Sequence, residues 1–426
     1  MTRRRSLCLL AAVAALPVYF LTAQPGTPRP YVVLVSLDGF RYDYAEKYHA
    51  THLEGIGQAG AAADAMIPSF PTVTFPNHIS IVTGQYPGHH GLVGNSFWDP
   101  TRKQIYSMRD SATDGSWYNY LPLWVVAEQQ KVKAASMFWP TADAEIAGVR
   151  PTYWSKYDGS VPNEQRVAKV LEWLKLPEAG RPHFITLYFS DVDSAGHRNG
   201  PDAPETGAAV ARVDKLVGDL WTGIQAIPLP INLMVVSDHG MQTVKGAVNL
   251  SEFADLSKIR VVTEGPVMLL YAPDADTAEK VYAQLKGKSP KFDIYRRQET
   301  PKRWHYSASE RIGDLVVYVR DGYVGVTGPQ NRPPQTGNHG FDVQEFPTMQ
   351  AIFYAAGPNI APGVKLKPFE NVNVFPLITR ILGLKNPSGL DGSEAVLDSV
   401  YRKLSEVAKS KPAPLRPLAA DYAEHF

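Results

Sequence analysis

Cysteine is almost missing from this sequence: its 426 residues include one, Cys8. With no second thiol the chain forms no internal disulfide, so in an oxidising compartment its stability has to come from packing and bound metal. A surplus of one charge is missing as well. Lys and Arg number 43 against 42 Asp and Glu, which removes the basic field that draws polyanions to a nucleic-acid-binding surface. No nucleic-acid partner is expected, and any attraction for phosphate must be local to a site. Long apolar runs are scarce too. The main one, residues 7–21, is shorter than the roughly 18 residues a membrane span needs and is interrupted by Pro17. With Arg3, Arg4 and Arg5 ahead of it and Thr22-Ala23-Gln24 behind, residues 1–23 read as a secretory signal peptide rather than an anchor. Cleavage after Ala23 would leave 40 basic against 42 acidic residues, no cysteine and no membrane anchor, in a protein exported to the periplasm or the medium. There is no internal repeat, the tail beyond Lys409 reads as a loose extension, and the sequence sets no oligomeric state.

What is present is the composition of an ordinary globular chain, 44% hydrophobic and 20% charged. Residues 31–37 form a continuous apolar run that ends in Asp38, as a buried strand of a parallel sheet would. Residues 183–190 run likewise into Asp191 and Asp193, and residues 231–237 into Asp238-His239-Gly240. A further strand is expected over 349–355, with amphipathic helices over 163–174 and 208–224, so that β and α elements alternate in an α/β fold. Between about 243 and 328 the pattern changes to β-α-β-β: strands over 261–271, 292–297 and 314–319, and a helix over 277–286 capped by Asp276 and stopped by Gly287. That span reads as a small inserted α+β subdomain.

Open α/β sheets bind ligands at the carboxyl ends of their strands, so acids and histidines that follow separate strands converge. One Asp after a strand is usually a turn or cap residue. Three such strand ends, two with His nearby, favour a site. Asp38, the pair Asp193 and His197, the pair Asp238 and His239, and His339 between Gly337 and Gly340 make a mixed nitrogen and oxygen ligand set. Three carboxylates and three imidazoles exceed the three protein ligands of one catalytic zinc, so two metals fit better, and imidazole favours zinc over magnesium. His78, His89 and His90 are left as structural histidines. Thr74 precedes Pro76, which suits the first position of a helix running to Gly84. A threonine there is ordinarily an N-cap, but helix N-termini also stabilise anions, and a hydroxyl on a divalent metal loses its proton easily. Two divalent ions bring +4 against −3 from Asp38, Asp193 and Asp238, an excess that favours an alkoxide and an anionic substrate.

Together the segments Asp38-Gly-Phe-Arg41, Thr74-Phe-Pro-Asn-His78, Asn95 in Gly-Asn-Ser-Phe-Trp-Asp-Pro100, Asp193-Ser-Ala-Gly-His197, Asp238-His239-Gly240 and Asn338-His339-Gly-Phe-Asp342 resemble the nucleotide pyrophosphatase/phosphodiesterase family of the alkaline phosphatase superfamily, in the family's order. The resemblance implies a central, mostly parallel sheet with helices on both faces. It implies two zinc ions per chain, one on Asp193, His197 and His339, the other on Asp38, Thr74, Asp238 and His239. Thr74 would be the nucleophile and carry a covalent phosphoryl group, Asn95 and the Thr74 backbone N–H would hold a phosphate oxygen, and Phe75 and Tyr157 would sandwich a base of any kind. Without the resemblance both aromatics read as core residues. Val73 stands where several relatives have Lys, which bears on substrate preference, and the extra modules of animal relatives are absent, so a catalytic domain alone is expected. The implied reaction is hydrolysis of nucleotide diesters and pyrophosphates to nucleoside 5′-monophosphates. Its rivals are a diesterase of lipid head groups and, from another class, a non-catalytic exported zinc-binding protein. A sulfatase is disfavoured because no Cys/Ser-x-Pro-x-Arg segment occurs.

Overall fold

Strand Tyr31–Leu37 is the axis of the molecule in the computed structural model, which describes residues 29–329 and 334–404. It pairs in parallel with Phe184–Phe189 on one side and with Ile231–Val236 on the other, Val33 lying opposite both Ile185 and Leu233. Every residue of these three strands is buried, as near-continuous apolar runs require when helices cover both faces. Alternate side chains divide between two cores. Val32 and Leu34 pack with Ile79, Val82 and Phe375, whereas Val33 and Val35 pack with Leu53, Val170 and Val213. The first group includes helices Thr74–Thr83 and Val374–Leu382; the second includes Thr51–Ala59, Asn163–Leu174 and Pro204–Gln225. The period of two along each strand thus fixes a helix layer on each face.

The sheet has eight strands in the order Val364–Leu366, Ala61–Ala63, Phe353–Ala356, Ile231–Val236, Tyr31–Leu37, Phe184–Phe189, Ala134–Met137 and Tyr153–Trp154. It is mostly parallel, as expected; Phe353–Ala356 runs antiparallel to both its neighbours. The strand expected over 349–355 is therefore shorter and displaced, because Pro347–Met349 forms a 3₁₀ turn. Residues Arg260–Glu264, Val267–Tyr271, Leu315–Val319 and Phe292–Arg296 form a separate four-stranded antiparallel sheet. The single strand expected over 261–271 is a hairpin, broken where Gly265 takes a φ of +63°. Helix Ala275–Leu285 is capped by Asp274, not Asp276: its carboxylate accepts the Thr277 N–H at 2.7 Å. No helix among the described residues is long and apolar enough to cross a membrane. The signal peptide and the loose tail lie outside the described residues.

His90 sits fully inside this framework, 3.1 Å from the Ser80 hydroxyl, while His89 lies at the surface against Asp391. Burial holds the His90 imidazole down at about 3, whereas an unfolded chain titrates near 6.5. The unfolded state thus takes up the proton first, so stability falls as pH drops from about 6.5 towards about 3, by up to about 1.4 kcal/mol per pH unit. Between pH 7 and pH 5 the wild type should therefore lose roughly 2 kcal/mol more unfolding free energy than His90→Gln in denaturant titrations; parallel losses would show that His90 is not held neutral.

Candidate active site

The three central strands end side by side, and their carboxyl ends deliver Asp38, Asp193 and Asp238 to one place. Two clusters result. Asp193, His197 and His339 form one, and Asp38, Asp238 and His239 the other, with one ligand atom from each residue within 4.8 Å of the rest of its cluster. In the first, His197 Nε2 lies 3.3 Å and His339 Nε2 3.6 Å from Asp193 Oδ1. The two Nε2 atoms are 3.1 Å apart. In the second, His239 Nε2 is 2.9 Å from Asp238 Oδ2 and 3.6 Å from Asp38 Oδ1. Ligands about 2.0–2.1 Å from a tetrahedral zinc stand about 3.3 Å from one another, so both clusters have the right spacing.

Two further observations test whether a metal fits. Asp38 Oδ1, Asp193 Oδ1 and Asp238 Oδ2, the oxygens facing those histidines, are buried without a hydrogen-bond partner, a costly state unless a cation is bound there. All three imidazoles are also oriented for coordination. The Nδ1 of His197 faces the Gly337 carbonyl at 2.9 Å, that of His339 the Thr72 carbonyl at 3.0 Å and that of His239 the Gly240 carbonyl at 2.9 Å. A carbonyl only accepts, so each Nδ1 carries the proton and each Nε2 lone pair is left for a metal. Burial, then the nearby His239 and His197, holds His339 well below the ordinary imidazole range. For His197 and His239 burial works the same way, but Asp193 and Asp238 outweigh it and raise them. Asp38 is pushed well up by burial first, then by the charges of Asp238 and Asp193. The residues fit divalent metal.

Local sequence explains how each side chain arrives. Asp193 and His197 are four apart on helix Asp191–Asn199 and so share a face. His339 follows the two-residue strand Gly337–Asn338, which pairs with Gln242–Thr243 just beyond His239. Gly39 adopts a φ of +69°, donates its N–H to Asp238 Oδ1 at 3.1 Å, and lies so close to Asp193 that a Cβ would meet the Asp193 Cα at 2.8 Å. It is the position where the first and second strand ends touch. Tyr188, which sequence reasoning passed over as part of an apolar strand, donates its hydroxyl to Asp38 Oδ2 from beneath the site. His78 is buried under it, between the Ser36 hydroxyl at 2.8 Å and Asp238 at 3.4 Å.

The helix containing Thr74 begins two residues before the Pro76 start expected. Val73 is its N-cap and Thr74 its first residue, and no side chain caps it. The first intrahelical bond runs from Asn77 N–H to the Val73 carbonyl. First-turn N–H groups have no partner in any case, so Pro76 is tolerated at the third position. The Thr74 hydroxyl, free of capping, stands 3.2 Å from His239 Nε2. It opens with Asp38 and Asp193 onto a cavity of about 410 Å³ whose walls include Phe75, Trp139, Asp143 and Tyr157. Tyr157 is 47% exposed and Phe75 partly buried, so neither is a core residue. Asn95 reaches the same helix start: its Oδ1 accepts the Phe75 N–H at 2.8 Å. Asp143, a carboxyl in the cavity wall pushed up by burial, was also missed, because nothing in its spacing relates it to the other acids.

The fold and these two ligand clusters define an α/β protein with candidate metal ligands gathered at the carboxyl ends of a mostly parallel sheet. Residues 32–342 match the model of the type I phosphodiesterase / nucleotide pyrophosphatase family, and the chain belongs to that family. It is 37% identical over 391 residues to mouse (Mus musculus) ectonucleotide pyrophosphatase/phosphodiesterase family member 1, covering 88% of this chain and 43% of that protein. Mouse family member 7 is 33% identical, with 92% of each chain covered. The chain thus spans less than half the length of the first of these relatives. Among solved structures, murine ectonucleotide pyrophosphatase/phosphodiesterase 5 superposes with a TM-score of 0.83 at 29% identity, over 87% of this chain and all of that one. An inactive threonine-to-alanine form of the same murine protein, in complex with AMP, gives the same TM-score at 28% identity.

Gly39→Ala should cost roughly 1–2 kcal/mol through the left-handed backbone and should push Asp193 away from its histidines. The purified variant is expected to bind metal more weakly at the Asp193 cluster than the wild type does; unchanged metal binding would show that the close contact is not what aligns the clusters.

Proposed function

We propose that the chain hydrolyses nucleotide diesters and pyrophosphates, releasing nucleoside 5′-monophosphates, with Thr74 as the nucleophile. The observation that carries this reading is the Thr74 hydroxyl: uncapped, at a helix N-terminus, 3.2 Å from His239 Nε2 and open to an aromatic cavity. Asp193, His197 and His339 would hold one zinc ion, and Asp38, Asp238 and His239, with Thr74, the other. Bound there, the two metals would lower the pKa of the hydroxyl and offset the charge of the phosphoryl group.

The chain's own residues supply the rest. Phe75 and Tyr157 would hold the base in the cavity by stacking, which tolerates any base. Thr74 Oγ1 would attack phosphorus, its proton passing to solvent; the Thr74–phosphorus bond forms as the bond to the leaving group breaks. Water would then attack the same phosphorus and release Thr74 and the monophosphate. Asn95, its Oδ1 fixed by the Phe75 N–H, has its amide nitrogen left to donate to a non-bridging phosphate oxygen, together with the unpaired Thr74 N–H at the helix start. Support comes from the family itself and from the murine relative whose inactive threonine-to-alanine form binds AMP. We further read residues 1–23 as a signal for export to the periplasm or medium, and residues 243–328 as an inserted subdomain.

Thr74→Ala should keep its metal and lose about 10⁴-fold or more of turnover, with Thr74→Ser retaining part of it; a variant that still turns over at the wild-type rate would sink the nucleophile. Chelation should abolish activity and lower the melting temperature by several degrees, since metal binds only the folded state, and zinc should restore both; an enzyme indifferent to chelator contradicts the metal reading. Assayed side by side, ATP and a dinucleotide should be cleaved and lysophosphatidylcholine should not. Cleavage of the lipid alone would replace the nucleotide reading with that of a lipid-head-group diesterase.

A further inference from the structure

Glu264 ends strand Arg260–Glu264 of the four-stranded antiparallel sheet, outside the main sheet that supplies the metal ligands. The residue is 8% exposed, and among the described residues its carboxyl stands within salt-bridge distance of no cation. Burial pushes it up to about 8 against the two hydrogen bonds that favour its charged form. Those bonds are its only polar contacts: Oε2 accepts the Asn95 N–H at 3.0 Å and Oε1 the Ser96 N–H at 2.8 Å. Gly94 leaves room for them, since a Cβ there would lie 3.3 Å from Glu264 Cγ. A buried carboxyl with no cationic partner is costly to a fold, and an apolar residue would fill the space without that cost. What Glu264 adds is position. Asn95 is held at its backbone by Glu264 and at its side chain by the Phe75 N–H, so its amide nitrogen has one direction left. The turn that follows Glu264 also abuts the other side of the site: a Cβ on Gly265 would stand 2.8 Å from the His339 carbonyl.

We propose that Glu264 is a positioning residue for the reaction, clamping the backbone of Asn95 so that the Asn95 amide meets the phosphoryl oxygen in the transition state. This rests on the role assigned above to Asn95. Glu264→Gln keeps size and shape but turns an amide N–H₂ towards one of the two backbone donors, so one bond is lost and the loop shifts. Displacement of a transition-state donor by about 1 Å lowers turnover by as much as about 10²-fold with little change in ground-state binding.

A double-mutant cycle on the zinc-loaded enzyme with an aryl nucleotide diester tests this, run near pH 9, above the value of about 8 to which burial pushes Glu264, so that both its oxygens accept. Glu264→Gln should lower kcat about 10- to 100-fold, with KM within about twofold and metal content unchanged. In an Asn95→Ala background, whose own kcat is already reduced, it should have no further effect, because the group it positions is gone. If Glu264→Gln lowers kcat by the same factor in both backgrounds, or leaves it unchanged while Asn95→Ala is impaired, the clamp is wrong and the Asn95 reading survives. If Asn95→Ala itself turns over normally, both fall. Should Glu264→Gln fail to fold, Glu264→Asp, which keeps the carboxyl and shortens its reach, is read by the same cycle, with a smaller loss confined to the Asn95 background.

Discussion

The gathering of three carboxyl groups and three imidazoles at one end of the sheet is the constraint on which the rest of this structure depends. Asp38, Asp193 and Asp238 follow adjacent strands; Asp38 and Asp238 are buried, and Asp193 stands at the edge of the cavity. Asp38 shows the cost most plainly, being pushed up first by burial and then by its two neighbours. Among the described residues no lysine or arginine enters the clusters; what faces the carboxylates there is three imidazoles whose Nδ1 protons point away, to backbone carbonyls. Tyr188 and the Gly39 N–H each satisfy one carboxylate oxygen, but Asp38 Oδ1, Asp193 Oδ1 and Asp238 Oδ2 face imidazole lone pairs with no donor of their own, which is poor protein core and good metal site. Gly39 and Gly337 follow from the same requirement, since they let the backbones that carry the ligands approach more closely than a side chain allows.

On that footing the position of Thr74 acquires meaning. A first-turn threonine that capped its own helix would have its oxygen committed to a backbone N–H. Here Val73 takes the cap position and the hydroxyl turns towards His239. The helix N-terminus, Asn95 and the cavity then all lie about one point, which is the arrangement a phosphoryl-transfer site needs if positioning and electrostatics supply most of the catalysis. The four-stranded sheet reaches that point through the hydrogen bonds from the Asn95 and Ser96 N–H groups to Glu264.

Much of this could be read from the chain. The three central strands are legible because burial on both faces demands unbroken apolar runs, and the acids that end those runs mark the site. The pairing of Asp193 with His197 was visible as a spacing of four, although the helix that makes the spacing useful was not assigned. The errors have local causes. Residues 261–271 looked like one strand because Val261-Val262 and Val267–Tyr271 flank the stretch 263–266 in which the chain reverses. Asp276 looked like a helix cap because an acid two residues away from the right position carries the same signal as Asp274. Pro76 marked a first turn but not which position of it. What remained out of reach was contact across long separations: the hydroxyl of Tyr188 on Asp38, the carboxyl of Glu264 on Asn95 some 169 residues away, and the exposure of Tyr157, which depends on the shape of the cavity and not on its neighbours in sequence.

The central claim is that two metal ions occupy two neighbouring triads with Thr74 beside them. Anomalous diffraction from crystals of the purified protein, recorded above and below the zinc edge, measures this directly. The account predicts two peaks, one among Asp193, His197 and His339 and one among Asp38, Asp238 and His239, with the Thr74 hydroxyl in contact with the second. A single peak, or none at these residues in protein that hydrolyses nucleotide diesters, would contradict it.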